Sequence, residues 1–267
     1  SLKEGDVVLD IGSNDGTMLR TYQVPGLITV GVEPASNLTE EGKKGLSYHI
    51  PDFWTIENYN SVVNKKAKVV TAIGMFYDME DPNQFIADAG KALTEDGVFI
   101  AQLMCSKNML DNNDVGNICH EHLEYYSFSS LEYLFGKNGL EIFDVEINNV
   151  NGKSYRLYAK KKGSVTPRFV GAAERVAAVK EDERELQTGG PYLDFFSRIE
   201  EQKEICVNFI KNEVAKGKKV WIYGASTKGN VILQYYGLDH TIIGAASERS
   251  SFKWGKYTVG SMIPIVS

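Results

Sequence analysis

The feature that most constrains this chain lies at its start. Residues 7–11, Val-Val-Leu-Asp-Ile, form a short apolar run stopped by Gly12, and after a second glycine at position 16 the segment 17–22 can begin a helix. Strand, glycine turn and helix in that order open a βαβ unit. The pattern then repeats: Ile28–Glu33, Lys68–Ile73 and Gly97–Leu103 read as further strands, with helical stretches near 36–45, 57–66 and 82–93 between them. Strands that alternate with helices predict an α/β fold, a parallel, doubly wound, Rossmann-like sheet. A helix over 131–139 and two alternating segments, Leu140–Val145 and Ser154–Lys160, close a first domain at residue 162. Residues 163–218 read as a solvated helical connection, two long helices dense in Glu, Lys and Arg broken at Thr188–Pro191. From Lys219 an apolar strand, a Gly-containing loop and a helix return, so 219–267 is expected to be a second, smaller α/β domain.

The turn Asp10-Ile11-Gly12-Ser13-Asn14-Asp15-Gly16 has the spacing D-x-G-x-x-x-G, with Asn14 where the dinucleotide fingerprint G-x-G-x-x-G wants its middle glycine. Glycine lets the main chain turn tightly and lets a ligand approach it. This spacing suits a nucleoside that lacks a pyrophosphate, namely S-adenosylmethionine. Asp10, Gly12, Asn14 and Gly16 are the residues expected beside it. Glu33 ends the second strand, where a carboxylate can accept both ribose hydroxyls; NAD would use the same acid, so Glu33 does not separate the two ligands.

Charge and cysteine content narrow the partners. With 29 Lys+Arg against 35 Asp+Glu the net charge is −6, which offers no basic field for a nucleic-acid backbone. Cys105, Cys119 and Cys206 lie far apart with no C-x-x-C, so neither a disulfide framework nor a cysteine zinc site is expected, and a cytoplasmic setting fits. The apolar runs fall far short of the ~20 residues of a membrane helix, so no membrane partner is expected. The chain begins with Ser1, as a piece of a longer protein would.

Five segments together resemble a known family: Val8–Thr17, Phe76–Pro82, Asn117–Ser127, Asn151–Arg156 and Tyr223–Asn230. The most specific are Asn-Ile-Cys-His-Glu-His-Leu-Glu-Tyr-Tyr-Ser at 117–127 and Tyr-Gly-Ala-Ser-Thr-Lys-Gly-Asn at 223–230. Over nearly its whole length the chain is similar to S-adenosylmethionine-dependent C-methyltransferases that act on nucleotide-linked deoxysugars. Such enzymes usually carry an N-terminal zinc-binding domain with paired cysteines, a part outside residues 1–267 as a trimmed start would leave it. The resemblance implies a methyl donor bound at the first turn and a nucleotide-sugar as small-molecule substrate. It also implies His122 as the base, with Glu121 beside it as a polar site residue. Two positions depart from the family pattern. Cys119 stands where a tyrosine is usual three places before the second histidine, and a histidine usual near Asp78 is missing.

The residues themselves support part of this. To methylate carbon beside a ketone, an enzyme must remove the α-proton and stabilise the enolate. Histidine, with an unperturbed pKa of about 6.5, suits the first task. Tyr77 could hydrogen-bond the enolate oxygen. If 120–122 is extended, His120 and His122 point one way and Glu121 the other. A His-x-His pair can also ligate zinc, but the remaining ligand candidates are unremarkable acids such as Asp114 or Glu124, so no metal is expected. The loop before the C-terminal helix offers Ser226, Lys228 and Asn230, a helix start plus an ammonium suited to a diphosphate. O- or N-methylation on the same scaffold, or a non-catalytic nucleotide-binding module, are the rival readings.

Overall fold

The computed structural model describes residues 1–165 and 169–267. Residues 166–168, inside the stretch read as the helical connection, lie outside the described residues. The chain packs as two compact units, Ser1–Ser106 with Leu123–Arg184, and Lys107–His122 with Glu185–Ser267.

In the first unit β1 (Val7–Ile11), β2 (Ile28–Val32), β3 (Tyr48–Ile50), β4 (Ala67–Ile73), β5 (Leu93–Met104), β6 (Leu140–Asn148) and β7 (Ser154–Lys161) form one sheet in the order β3-β2-β1-β4-β5-β7-β6. Its neighbours are parallel except where β7 runs against β5 and β6. Alternating with these strands are α1 (Thr17–Arg20), α2 (Thr39–Gly42), α3 (Ile56–Val62), α4 (Pro82–Ala92), α6 (Phe128–Lys137) and α7 (Ala172–Asp182), whereas α5 (Ser106–Asp111) falls, Ser106 apart, in the second unit. This is the Rossmann-like architecture of class I methyltransferases. Because β1 is flanked by β2 on one side and β4 on the other, the strand order reverses at its carboxyl end. In doubly wound sheets that is where ligands bind.

Local chemistry accounts for most boundaries. β1 is buried along its whole length, as a central parallel strand should be. Asp81 caps α4 by accepting the Gln84 N–H at 3.0 Å, and Pro82 follows at the first helical position, where its missing N–H costs nothing. Ser127 accepts the Ser130 N–H, so α6 starts at 128, one turn earlier than expected. The core is aromatic where β5 meets α6: Phe99 stacks on Phe135 with centroids 5.6 Å apart, and Phe76 stacks on Tyr126 at 5.5 Å. β3, three residues at the sheet edge, is too short to have a readable sequence pattern.

The charged stretch after residue 168 is more than a solvated connection. In α7, Arg175 grips the fully buried Asp144 of β6 through Nε at 2.8 Å and Nη2 at 2.5 Å. Just beyond α7, buried Glu183 accepts the Phe128 N–H at 2.7 Å and the Tyr155 hydroxyl. In the second unit α8 (Gly190–Ala215) buries Phe195 and Ile199. There β8 (Val220–Tyr223), β9 (Ile243–Ser247) and β10 (Ile265–Val266) form a parallel sheet in the order β10-β9-β8, with α9 (Thr227–Tyr236) between β8 and β9 in the chain. Leu233, Ile243, Ala246, Ile263 and Ile265 make its core. Among the described residues no helix is long and apolar enough to cross a membrane.

Candidate active site

At the reversal point the chain leaves β1 through Gly12 and Gly16, at φ +72° and +78°, with Asn14 also left-handed at +51°. A Cβ on Gly12 would lie 2.8 Å from Met75 Cγ, and one on Gly16 2.9 Å from the Gly42 carbonyl, so the turn's own packing already requires glycine. Its N–H groups are all spent within the protein. Gly12 and Ser13 donate to the Val32 carbonyl at 2.9 and 3.1 Å, and Gly16 donates to the Ser13 carbonyl at 2.9 Å. Asn14 donates to Glu33 Oε2 at 2.9 Å, Asp15 to Asn14 Oδ1 at 2.8 Å and Thr17 to Asp15 Oδ1 at 2.9 Å.

A pyrophosphate needs such N–H groups pointing at it; a phosphate-free nucleoside does not. The turn therefore fits the methyl donor better than a dinucleotide. Glu33 is buried, and its second oxygen accepts the Ala35 N–H at 2.9 Å. Each carboxylate oxygen has a further lone pair for a ribose hydroxyl. The Ser13 hydroxyl oxygen is buried and, among the described residues, without a hydrogen-bond partner, which leaves a polar atom for a ligand to satisfy. Asp10, one residue from the end of β1, is 4% exposed; burial above all, then the Glu33 charge, raises its carboxyl from the usual 3.8 to about 7, against the opposing hydrogen bond from Thr71.

The His-Glu-His segment belongs to the second unit and is not extended. His122 N–H closes a turn on the Cys119 carbonyl at 3.2 Å, so the strand-like alternation of His120, Glu121 and His122 is corrected to a β-turn. The His120 side chain is 91% exposed and pairs with the neighbouring Glu121 at 3.2 Å. His122 is half-buried, with Nδ1 2.8 Å from the Asn117 carbonyl oxygen. A carbonyl can only accept, so Nδ1 carries the hydrogen and in the neutral ring Nε2 is the basic nitrogen. Burial pushes the Cys119 thiol up, as suits a packing residue rather than a nucleophile.

Ser226, Lys228 and Asn230 lie at the start of α9 in this unit. Ser226 caps the helix, accepting the Gly229 N–H at 3.0 Å. Lys228 Nζ sits 3.2 Å from Asp114 Oδ2, which also accepts Asn117 Nδ2 at 2.6 Å. One hollow of 380 Å³ is lined by His120, Glu121, Thr227, Asn230 and Gln234, and another of 420 Å³ by Cys119, Glu121, His122, Ser226 and Lys228. Cys119, Glu121 and Thr227 line both. The Asn230 Oδ1 is buried and, among the described residues, has no hydrogen-bond partner.

The fold thus gathers six of the residues singled out in the sequence around two adjoining hollows of one unit. It brings in Asn117, which stood inside the conspicuous motif and holds His122, and Asp114, weighed in the sequence only as a metal-ligand candidate, which holds Lys228 instead. Gly116 lets this segment approach α9, since a Cβ there would lie 2.9 Å from Lys228 Cβ. Tyr77, in the first unit, donates its hydroxyl to the Gly74 carbonyl at 2.9 Å, and its own carbonyl accepts the Leu123 and Glu124 N–H groups. Among the described residues no cluster of three or more His, Cys, Asp or Glu is gathered as for a metal ion.

Residues 1–145 match the methyltransferase domain family, and residues 149–267 match the C-methyltransferase C-terminal domain. The chain belongs to the methyltransferase domain family. It is 31% identical over 268 aligned residues to the C-methyltransferase NovU of Streptomyces niveus; the match takes in all of this chain and 63% of that protein's length. Among solved structures it is similar to an S-adenosylmethionine-dependent methyltransferase of Thermotoga maritima (19% identity, 60% of this chain, 84% of that one, TM-score 0.46). Another is the enzyme of that class from Clostridium acetobutylicum (15% identity, 58% and 84%, TM-score 0.46).

Proposed function

We propose that the protein transfers the methyl group of S-adenosylmethionine to a carbon beside the ketone of a nucleotide-linked deoxysugar, with His122 as the base. The observation that carries this is the 2.8 Å contact between His122 Nδ1 and the Asn117 carbonyl, which fixes the tautomer with Nε2 basic. When bound, the donor supplies an electrophilic methyl on a positively charged sulfur. His122 Nε2 takes the α-proton, and Tyr77 turns its hydroxyl from Gly74 to the enolate oxygen, where charge develops. Glu121 and His120 line the hollow beside the base. Gly12, Asn14, Gly16, Asp10 and Glu33 hold and orient the donor, because an in-line displacement depends on alignment more than on acid or base. Ser226, Lys228 and Asn230 serve the nucleotide of the acceptor. On this reading the first unit, Ser1–Ser106 with Leu123–Arg184, serves the donor and the second, Lys107–His122 with Glu185–Ser267, serves the acceptor.

The test is mass spectrometry of nucleotide-linked keto-deoxysugars incubated in heavy water with the protein and deuterium-labelled methyl donor. Methyl transfer together with solvent exchange of the α-hydrogen is expected. Transfer with no exchange would favour O- or N-methylation.

A further inference from the structure

Thr71 Oγ1 on β4 lies 2.6 Å from Asp10 Oδ1 and 3.2 Å from the Leu9 carbonyl oxygen. A hydroxyl owns one hydrogen, and a peptide carbonyl can only accept. If Thr71 gives its hydrogen to Leu9, the shorter contact needs a hydrogen from Asp10. A protonated Asp10 satisfies the whole chain, with Asp10 donating to Thr71 and Thr71 to Leu9. An ionised Asp10 competes with the carbonyl for one hydrogen, inside a site where it is 4% exposed.

Among the charged neighbours Glu33 favours the same state. Glu33 at the end of β2 acts on Asp10 as a like charge; Tyr22 beyond α1 feels the Asp10 charge and has its own phenol pushed up, mainly by burial; His49 on β3 is one step out, beside Glu33. Burial and the Glu33 charge together hold the Asp10 carboxyl near 7.

We propose that Asp10 is a neutral acid in the free protein and releases its proton when the cationic methyl donor binds at the turn, so that it discriminates the sulfonium donor from the uncharged thioether product. This rests on the assignment of the glycine turn to the donor. The step breaks the Asp10 O–H bond and passes the proton to buffer; no bond to the ligand forms. A positive charge entering the site favours the ionised carboxyl. The demethylated product carries one positive charge fewer and leaves Asp10 protonated over a wider pH range.

Titration calorimetry of the full chain with S-adenosylmethionine and with S-adenosylhomocysteine tests this, in buffers of different ionisation enthalpy. Wild type and Asp10→Asn are compared at about pH 6 and about pH 8. The Asn variant mimics the neutral acid, and its own pH dependence reports the ligand's amino group. Wild type should release close to one proton more than Asp10→Asn on binding the donor at about pH 6. Its donor affinity relative to Asp10→Asn should rise about five- to tenfold between the two pH values, as linkage requires for a proton shed on binding. The product should show a smaller rise. Equal proton release and parallel pH profiles in the two proteins would overturn the proposal. If neither ligand binds wild type, the donor assignment of the turn fails instead. Should Asp10→Asn not fold, infrared spectra of wild type labelled with ¹³C-aspartate decide: a protonated carboxyl band at about pH 6 must disappear when the donor is added, and its persistence or absence from the start overturns the idea.

Discussion

The imidazole of His122 is anchored to the carbonyl of Asn117, five residues earlier in the same loop, at 2.8 Å. That contact orients the ring and fixes which nitrogen is basic. With S-adenosylhomocysteine in place of the donor, wild type should exchange the acceptor's α-hydrogen with heavy water, since no methyl can transfer. His122→Asn should fold, bind both ligands, and lose exchange and turnover together by about 10²–10⁴-fold. Undiminished exchange in the variant would move the role to Tyr77 or His120.

Glu33 does two jobs, holding the N–H groups of Asn14 and Ala35 and presenting its remaining lone pairs at the turn. Glu33→Ala should weaken donor binding by about 1.5–3 kcal/mol, the scale of hydrogen bonds to a charged group. Calorimetry against S-adenosylhomocysteine and NADH measures this, and tighter binding of NADH by wild type would contradict the donor assignment.

Asp10 should also write itself into the pH dependence of folding. Its folded carboxyl holds a proton up to about 7 against the usual 3.8, so the folded state binds more protons than the unfolded between those values. Stability contributed by the neutral acid is therefore full below about pH 4, falls as pH rises to about 7, and is level above. The loss is bounded by roughly 4 kcal/mol at 1.36 kcal/mol for each pH unit. Urea melts at pH 5 and pH 8 should show that slope in wild type, and a much flatter line in Asp10→Asn.

Lys228 is paired to Asp114, but both are partly exposed, so Lys228→Ala should change stability by no more than about 1 kcal/mol. The apparent KM for the nucleotide-sugar should rise while donor affinity stays near wild type, because a contact made equally in ground and transition states is uniform binding. Equal losses for both substrates would indicate a folding role.

Arg175→Ala should lower the melting temperature by several degrees, since it leaves the fully buried Asp144 without its partner. Adding Asp144→Asn should recover much of the loss; a thermal melt of the three proteins checks the order.

Much of this was written along the chain. The apolar strand–turn–helix rhythm determines the parallel sheet, because central strands must be apolar throughout and their glycine turns must adopt left-handed geometry, as Gly12 and Gly16 do. Asp81-Pro82 and Ser226-Thr227 mark helix starts because a capping oxygen and a dispensable N–H are properties of those residues alone. Tertiary structure decided the rest. Segment 107–122 lies between β5 and β6 in sequence, yet Arg198 on α8 holds its Asn113 side chain and Leu110 carbonyl, and Asp114 reaches Lys228 across more than a hundred residues. Pattern reading sees periodicity within a window and is blind to such pairings. The raised carboxyl of Asp10 follows from burial first and from Glu33, 23 residues away at the end of β2, against the hydrogen bond of Thr71, 61 residues away on β4. Sequence supplied the acid; only the packing of three strands, which removes water and brings a second carboxylate close, raises its pKa.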